Sequence, residues 1–429
     1  MSVLTNQITI DEISTVLLNA RKKGLIDEDD TSVLFFDFSR LKKRLNYVKN
    51  SFPENFLHTV AIKTNPLIGF LNECIKADMG LEAASMGEVE IALASGAHPS
   101  NIVYDCPAKT IKELKKSIEY GLHINADNIE ELKRLDKIID GQIKNTIALR
   151  INPQIGSGKI EALSTAGEYS KFGVPIKYYK EEIIESFKRY PWLTGIHVHS
   201  GSQGMDISQM VEGIKIIYDL ALEINTILKD SGYSNRINVL DIGGGFPIAY
   251  KENEIQCDME SYANDISLKC PNIFNMFKII TEFGRFYSAP IGWVASTVEY
   301  IKKQPGKNMA IMHVGADLFL RECYTPDNNH HKFSVLDAEL KPKTENSSVW
   351  DIAGPLCFAG DIVGRNIITP EIHSGDYIIV HDAGANTINL WSRHCSRNVP
   401  KVIGYTSPND FTVLRNKETY SDLIKFWGG

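Results

Sequence analysis

The sequence has no long apolar run, no basic block and no paired cysteines, and each absence excludes a class of protein. No apolar stretch approaches the roughly 20 residues that cross a bilayer. The net charge is -7 and no basic cluster stands out, which argues against a nucleic-acid partner. The seven cysteines are scattered without a CxxC pair, which argues against a disulfide framework or a zinc site.

The N-terminal segment, MSVLTNQITIDEIS, lacks the basic and apolar regions of a signal peptide. We therefore predict a cytoplasmic protein. The composition, with 43% hydrophobic and 23% charged residues, is that of a globular protein. A chain of 429 residues is too long for one ordinary core, so two domains are expected.

Short apolar runs alternate with helical patterns in the first two thirds of the chain. The predicted strands are Val60–Ile62, Gly80–Ala84, Ile102–Asp105, Leu122–Asn125, Thr146–Ile151, Gly195–His199, Val239–Ile242 and Ile279–Glu282. The segments between them place apolar residues at helical spacing, as in Ile111, Leu114 and Ile118. Eight such units predict an α/β fold, a (β/α)₈ TIM barrel. A doubly wound open sheet is the alternative, but its Gly-rich first turn is missing.

After residue 285 the helical spacing fades and β-rich runs follow. They are Gly292–Tyr300, Met309–Val314, Tyr377–His381 and Phe411–Leu414, separated by Pro, Gly and Asn clusters. We predict three parts. Residues 1–38 form an N-terminal helix and a strand that joins the β domain, residues 39–286 form the barrel, and residues 287–429 form a C-terminal, mostly antiparallel β domain.

Polar residues end most of the barrel runs, and active-site residues of such barrels collect at these ends. The residues are Lys63, Glu82, Asp105, Asn125, Arg150, His197, His199, Asp241 and Glu282. Burial would lower the pKa of Lys63 and make its amine a nucleophile toward carbonyl groups. The plain alternative is a strand-end lysine with its charge in water.

Two further motifs follow late barrel strands. The triple glycine after Asp241, Gly243–Gly245, exposes backbone N–H groups and is suited to phosphate, although a tight turn is the structural alternative. In Glu282-Phe-Gly-Arg285 the two charged residues could form a plain ion pair. In a cofactor site, Glu282 would face a basic ring nitrogen and Arg285 an anion.

A histidine pair and a lone cysteine complete the set. We expect one of His197 and His199 to face the barrel mouth, where it would stack on a flat cofactor, and the other to be packed. No metal is predicted, because no third ligand has convincing spacing. Cys357, within Gly354–Asp361, is either a small buried residue or a thiol donor at an active site.

Taken together and in this order, the motifs resemble the fold-type III pyridoxal 5'-phosphate (PLP) decarboxylases, the diaminopimelate/ornithine/arginine decarboxylase family. The resemblance runs from about Ser32 to the C-terminus through VAIKTNP, LEAASMGE, SKFG, HVHSGSQ, LDIGGGFP, EFGR, GPLCFAGD and DAGAN. Bacterial diaminopimelate decarboxylases are especially similar through SKFG and HVHSGSQ. The resemblance implies a lyase of amino-acid metabolism with an alanine racemase-like PLP-binding barrel, acting as a homodimer with shared active sites.

The resemblance also implies residue roles. Lys63 would hold PLP covalently, His199 would stack on the pyridine ring, and Glu282 would keep the ring nitrogen protonated. The other implied cofactor contacts are Glu82, Arg150, Ser202, Gly243, Gly244, Gly245, Gly284, Arg285 and Asn386. Cys357 would reach in from the partner subunit and protonate the product. The implied substrate contacts are Arg285, Arg321, Tyr324, Cys357 and Phe358.

The sequence departs from the family where the substrate would bind. Phe358 stands where diaminopimelate decarboxylases have a glutamate that receives the distal amino group. Arg321 matches the arginine that holds a distal carboxylate, but the tyrosine that follows it in the family is either missing or displaced by one position, with Tyr324 as the candidate substitute. Asn386 replaces a tyrosine that contacts the cofactor.

We therefore expect decarboxylation of an amino acid, or an amino-acid conjugate, with a distal carboxylate or carbonyl and no free distal ammonium. A siderophore or antibiotic pathway would supply such a substrate. The alternatives are a meso-diaminopimelate decarboxylase that makes L-lysine, an amino-acid racemase on the same barrel, and a non-catalytic regulator.

Overall fold

The computed structural model describes residues 7–141, 143–156, 158, 164–251 and 254–429. The first six residues of the N-terminal segment considered above lie outside these ranges. The strands, in chain order, are β1 (Ser32–Asp37), β2 (Phe56–Ala61), β3 (Gly80–Ala83), β4 (Ile102–Asp105), β5 (His123–Ala126), β6 (Ile147–Asn152), β7 (Val174–Pro175), β8 (Leu193–His197), β9 (Val239–Asp241), β10 (Lys278–Phe283), β11 (Gly292–Gln304), β12 (Lys307–Met312), β13 (Phe333–Leu336), β14 (Ser347–Ala353), β15 (Ile362–Pro370), β16 (Tyr377–Val380), β17 (Lys401–Ser407) and β18 (Asp410–Arg415).

The helices flank these strands along the whole chain. They are α1 (Ile10–Lys22), α2 (Phe38–Ser51), α3 (Ile68–Lys76), α4 (Met86–Ala94), α5 (Ile111–Tyr120), α6 (Ile129–Asp136), α7 (Ile176–Arg189), α8 (Ile207–Asp230), α9 (Met259–Lys269), α10 (Ile273–Met276), α11 (Arg285–Ser288), α12 (Leu320–Tyr324) and α13 (Tyr420–Phe426). None of the helices in the described ranges is long and apolar enough to cross a membrane.

Eight parallel strands close into a barrel. Strands β2, β3, β4, β5, β6, β8, β9 and β10 pair in that order, and β10 pairs again with β2. Each predicted barrel strand coincides with one of them to within a few residues, so the predicted (β/α)₈ barrel is confirmed. Because all eight run in the same direction, the polar residues at their C-terminal ends lie at one end of the barrel.

The barrel strands are apolar because both of their faces are covered. All four residues of β4 are buried, for example. Helix α5 shows how the intervening helices are delimited. Thr110 and Glu113 form a capping box at its start, and Gly121 ends it with a φ of 77°. Ile111 was expected on the buried face of this helix but is 54% exposed, because it lies in the first turn.

The chain divides into two compact units, whose described residues fall within 45–248 and 256–286 for the barrel and within 1–44, 249–255 and 287–429 for the other. The barrel unit thus begins a few residues later than predicted and lacks 249–255, which the sequence assigned to it. The described residues of this segment, 249–251 and 254–255, contain no regular strand or helix. Apolar periodicity therefore offered no signal for its assignment.

The second unit is built on a nine-stranded sheet. Strand β1 lies inside it, antiparallel to β11 and parallel to β17, so the strand that precedes the barrel does join this sheet. The rings of Phe35 and Trp293, which are cross-strand neighbours, stack with centroids 4.3 Å apart. Most pairings are antiparallel, although β12 and β14 are also parallel. The sequence did not reveal β13, β14, β15 or β17.

Candidate active site

Lys63 lies just beyond the C-terminal end of β2, in a 3₁₀ turn formed by Ile62–Thr64. Its Nζ donates to both carboxylate oxygens of Glu82, at 3.0 and 2.8 Å. The Glu82 side chain is fully buried, whereas that of Lys63 is 42% exposed. The Lys63 amine is therefore held by a buried carboxylate, while the lysine side chain remains partly accessible to solvent.

The charge of Lys63 differs from the sequence-based expectation. Burial alone would lower the pKa of Lys63, but the carboxylates of Glu82, Glu282 and Asp105 outweigh burial and raise the pKa above its ordinary value. Burial raises the pKa of Glu82 to about 8, an effect that Lys63 opposes and the two other acids reinforce. The prediction of a lowered lysine pKa is therefore wrong, because it counted desolvation and not the surrounding acids.

Glu282, at the end of β10, faces two histidines from β8 and the loop after it. His197 Nε2 lies 3.5 Å and His199 Nδ1 3.6 Å from Glu282 Oε2. These distances are long for hydrogen bonds but allow strong electrostatic attraction. Burial would raise the pKa of Glu282, yet His197, His199 and Lys63 hold it well below its usual range. Glu282 is thus a buried, ionised carboxylate.

The two histidines point toward the same carboxylate. Residues two apart in extended chain lie on the same face, and both histidines reach Glu282. They differ in exposure: His197 is fully buried and the His199 side chain is 13% exposed. Burial and the charge of Lys63 lower the pKa of His199. Gly244 N–H donates to its Nδ1 at 3.1 Å, so a neutral ring carries its proton on Nε2.

A polar floor lies beneath Glu282. Asn125 Nδ2 donates to Asp241 Oδ2 at 2.9 Å and is 3.4 Å from Glu282 Oε1. His123 Nε2 lies 2.8 Å from Asn125 Oδ1, which fixes the amide. Burial and the charge of Glu282 raise the pKa of Asp241 well above its ordinary value. Of these two neighbouring acids, Asp241 is therefore the one whose protonated form is favoured.

Arg150, at the end of β6, is held by a buried ion pair. Its Nη1 lies 2.8 Å from Asp105 Oδ2, and the two side chains are 4% and 5% exposed. The guanidinium also lies over the ring of Phe172, 4.5 Å from its centroid. Burial opposes ionisation of Asp105, but Arg150 and His197 lower its pKa. The SKFG segment thus forms one wall around a fixed positive charge.

The triple glycine serves close packing more than was expected. A Cβ on Gly244 would lie 2.1 Å from the carbonyl oxygen of Glu282, and one on Gly245 would lie 2.0 Å from that of Gly201. The N–H of Gly243 is bound by Asp241 and that of Gly244 by His199. Two of the three N–H groups are therefore engaged within the protein. Only Gly245 N–H lacks a partner within the described ranges.

The other residues assigned to a phosphate lie in segments adjoining this loop. Ser202 is half-buried, and its backbone approaches Gly245. Arg285 is 9% exposed and begins α11. Gly284 allows the end of β10 to lie against the turn that carries Lys63, since a Cβ there would be 2.5 Å from Thr64 Cγ2.

The predicted substrate residues other than Arg285 lie in the second unit. Arg321 and Tyr324 belong to α12, and Cys357 and Phe358 to a loop at residues 354–361. The rings of Tyr324 and Phe358 stack 4.9 Å apart at 16°. The Asp361 carboxylate accepts from Ala316 N and Leu356 N and so pins the loop, leaving Cys357 exposed.

Asn386 lies in the segment after β16 and has an unusual backbone conformation. Its φ of 56° lies in the left-handed region, which asparagine tolerates better than most residues. This conformation gives a local reason for asparagine where the resembling family has tyrosine. Nothing in the described structure assigns its side chain a contact with a cofactor.

Among the described residues, two groups of side chains have the spacing of metal ligands. His197, His199 and Glu282 form one, and Glu82, Asp105 and Glu282 form the other, each with ligand atoms within 4.8 Å of one another. The third ligand that the sequence did not reveal is therefore present, contributed by β10 across the barrel. Both groups share Glu282 with the polar floor described above.

The barrel residues fit the phosphorylated pyridine that the resemblance implies. Glu282 Oε2, Asp105 Oδ1 and both ring nitrogens of His197 are buried without hydrogen-bond partners in the described ranges. Buried polar atoms of this kind are costly unless another group completes them. A pyridine nitrogen is such a group for Glu282.

Several residues of this network had no specific role in the sequence-based prediction. Asp105, Asn125, His197 and Asp241 were recognised only as polar strand ends, and His123 was not noticed. His123 could have been found from its position two residues before Asn125 on one strand, since both then face the barrel interior.

Comparison with known proteins supports the same interpretation. Residues 38–289 match the family described as pyridoxal-dependent decarboxylase, pyridoxal binding domain. Diaminopimelate decarboxylase from Buchnera aphidicola is 30% identical over 94% of this chain and 95% of its own length. That from Methanothermobacter thermautotrophicus is 27% identical, covering 94% and 92%. The crystal structure of diaminopimelate decarboxylase from Helicobacter pylori with L-lysine has a TM-score of 0.83 at 25% identity, covering 95% and 99%.

Proposed function

Because the chain belongs to the pyridoxal-dependent decarboxylase family, we propose that it converts meso-diaminopimelate to L-lysine. The protein is a PLP-dependent carboxy-lyase that acts on an amino acid. The choice of meso-diaminopimelate is supported by relatives that are named diaminopimelate decarboxylase and that match this chain over almost their entire length. A solved relative binds L-lysine, the product that this reaction would release.

The observation that carries the proposal is the pairing of Lys63 with Glu82 at the barrel mouth. Lys63 would hold the cofactor through its amine. That amine must first lose a proton, and Glu82 lies 2.8 Å from Nζ with a pKa raised to about 8. Glu82 is therefore placed to take the proton and to return it when product leaves.

Glu282 would keep the pyridine nitrogen protonated, because it is ionised and buried. When bound, PLP supplies the electron sink for the bonding pair that remains as CO₂ departs. Arg150, fixed by Asp105, would orient the groups beside Lys63. His199 would cover the ring face, and Ser202, Arg285 and the Gly245 N–H would bind the phosphate.

Cys357 is the proposed donor of the final proton to the product carbon. Its thiol is exposed on this chain and belongs to the loop that Asp361 pins. We propose that it serves the partner subunit of a homodimer. The dimer and the cytoplasmic location stay predictions.

A second candidate substrate is favoured by Phe358. Its ring stacks on Tyr324, and a Cβ on Gly360 would lie 2.5 Å from it, so the site of the expected glutamate is apolar. Asp361 is the nearest acid in sequence, but it is occupied by backbone N–H groups. Leaving a distal ammonium unpaired costs about 3–5 kcal/mol if it is buried. A substrate with a distal carboxylate or carbonyl and no free ammonium avoids that cost.

A substrate panel distinguishes the two candidates. Purified enzyme with PLP is given meso-diaminopimelate, its distal N-acyl derivative, L-lysine and L-ornithine, and loss of CO₂ is followed by mass spectrometry. The highest kcat/KM for meso-diaminopimelate supports the first candidate, and the highest value for the N-acyl derivative supports the second. Phe358→Glu should shift the preference toward meso-diaminopimelate only in the second case.

A non-catalytic regulator is tested separately by cofactor binding. The wild-type protein should show the visible absorption band of covalently bound PLP, and Lys63→Ala should abolish it. Lys76→Ala, at an exposed lysine of α3, is the matched control and should keep the band. A colourless wild-type protein that does not respond to added PLP would refute the decarboxylase proposal.

A further inference from the structure

Helix α12 carries two of the proposed substrate residues and is fastened to the neighbouring loop on one side. Cys323 Sγ lies 3.8 Å from Asp361 Oδ1, and the Tyr324 ring stacks on Phe358. With only Leu320–Tyr324, the helix is too short to hold its own position. The position of α12, and with it the backbone of Arg321, therefore depends on contacts made by the neighbouring residues.

Glu322 provides a second attachment through a buried ion pair. Its Oε1 lies 3.1 Å from His331 Nε2, and the two side chains are 9% and 3% exposed. His331 Nδ1 lies 2.8 Å from the carbonyl oxygen of His381, at the end of β16. Glu322 Oε2 is buried without a hydrogen-bond partner in the described ranges, so His331 is the principal partner of this carboxylate.

The geometry gives the charge of His331. A carbonyl oxygen accepts and cannot donate, and an ionised carboxylate also only accepts. Both ring nitrogens of His331 must then carry protons, so the ring is an imidazolium. Burial would lower the pKa of His331, but Glu322, the His381 carbonyl and Asp382 raise it. Burial opposes ionisation of Glu322 as well, yet His331 lowers the pKa of that acid.

The surroundings keep this pair away from water. The rings of Tyr250 and Phe319 meet His331 edge-on at 5.6 and 5.3 Å. The titratable or charged groups around His331 and Glu322 are Arg321 on α12, His381 and Asp382 after β16, Lys332 beside the ring, and Tyr250. Glu322 is the one acid among them in direct contact with the imidazole.

We infer that the Glu322–His331 pair is the positioning device that orients Arg321 and Tyr324 toward the distal end of the substrate. The pair sets substrate affinity and leaves the chemical step to the barrel residues. This inference rests on the proposed function, because Arg321 acquires its role there. It applies equally to both candidate substrates, since each has an acceptor at its distal end.

The pair also makes substrate affinity depend on pH. Below the raised pKa of His331 the imidazolium is present and the pair is intact. As the pH rises through that pKa, His331 loses its proton and Glu322 becomes a buried, unpaired charge. KM should therefore rise with pH in the wild-type enzyme, while kcat follows the barrel residues.

Two variants and a neighbouring control test the inference with the holoenzyme. Glu322→Gln and His331→Gln should each raise KM about tenfold, which is the effect of about 1.4 kcal/mol, with kcat changed less than about twofold. His330→Gln is the matched control, because His330 is adjacent in sequence and exposed. Glu322→Gln should also remove the rise of KM with pH. PLP affinity and the unfolding temperature, measured for all three, show that each variant folds.

A second measurement does not require turnover. Pimelate, a dicarboxylate without amino groups, is titrated into the holoenzyme by calorimetry, and its Kd should rise about tenfold in Glu322→Gln. Binding that depends on the pair without decarboxylation of any amino acid would support the inference and refute the proposed function. If pimelate binding and KM are both unchanged in Glu322→Gln, or if kcat and PLP affinity fall as much as KM rises, the inference is wrong.

Discussion

Replacing Glu82 by glutamine should lower the pKa of Lys63. The carboxylate lies 2.8 Å from Nζ, and it leads the three acids that hold the lysine charged. Two unit charges at this distance interact by about 1.5 kcal/mol in water. The water value is used because the Lys63 side chain is 42% exposed. The pKa of Lys63 should then fall by about one unit.

The measurement is reductive methylation of the protein without cofactor, followed by peptide mass spectrometry. The rate at Lys63 reports the fraction of free amine, so at any pH well below the pKa it should be about tenfold higher in Glu82→Gln. Glu90→Gln is the control. Glu90 lies on α4, the helix that follows β3, and it pairs with Lys116 at the surface. Its rate at Lys63 should equal that of the wild type.

Two results would contradict the predicted fall in the pKa of Lys63. An unchanged rate in Glu82→Gln would mean that the ion pair does not exist in solution. A slower rate would mean that Glu82 assists deprotonation more than it stabilises the ammonium. An unchanged rate would also remove the structural basis for assigning Glu82 as the proton acceptor.

Three further predictions concern residues that stabilise the barrel and the loop at residues 354–361. Gly244→Ala should weaken PLP binding, because the new Cβ would lie 2.1 Å from the Glu282 carbonyl, and the strain of about 1–3 kcal/mol should appear in equilibrium dialysis. Lys109→Met should lower the free energy of unfolding in urea by about 3–5 kcal/mol, because it leaves the buried Glu131 unpaired. Asp361→Ala should cost about 1–3 kcal/mol and expose loop 354–361 to protease, since two backbone N–H groups lose their acceptor.

Each of these predictions has an outcome that contradicts it. Full PLP affinity in Gly244→Ala would show that the loop relaxes without moving Glu282. An unfolding free energy unchanged in Lys109→Met would indicate that water reaches Glu131. A loop that resists protease in Asp361→Ala would show that the Tyr324–Phe358 stack is sufficient to hold it.

The barrel could be predicted because its signals are local. Each strand is an apolar run, since both faces of a parallel sheet are covered, and most of the runs end in a polar residue. The second sheet was only partly predictable. Strands such as β14 carry a mixture of buried and exposed residues, and their pairing connects distant segments. Bulges in β14 and β15 also interrupt the alternation on which strand prediction depends.

The contacts of the proposed substrate residues were also beyond prediction from local sequence patterns. Phe358, Arg321 and Tyr324 were noticed because they depart from a known pattern, but no local signal links Tyr324 to Phe358 or Glu322 to His331. Those contacts join residues separated along the chain, and they decide how α12 is held.

The sequence by itself determined the order of the elements, the barrel, and the strand ends that carry Lys63, Glu82 and Glu282. Only the tertiary structure decided the protonation of these groups. Burial acts on each residue alone and favours an uncharged lysine, whereas the raised pKa of Lys63 follows from three carboxylates contributed by three different strands. Coulombic interactions at a few ångströms depend on distances across the barrel, and such distances are absent from any local pattern.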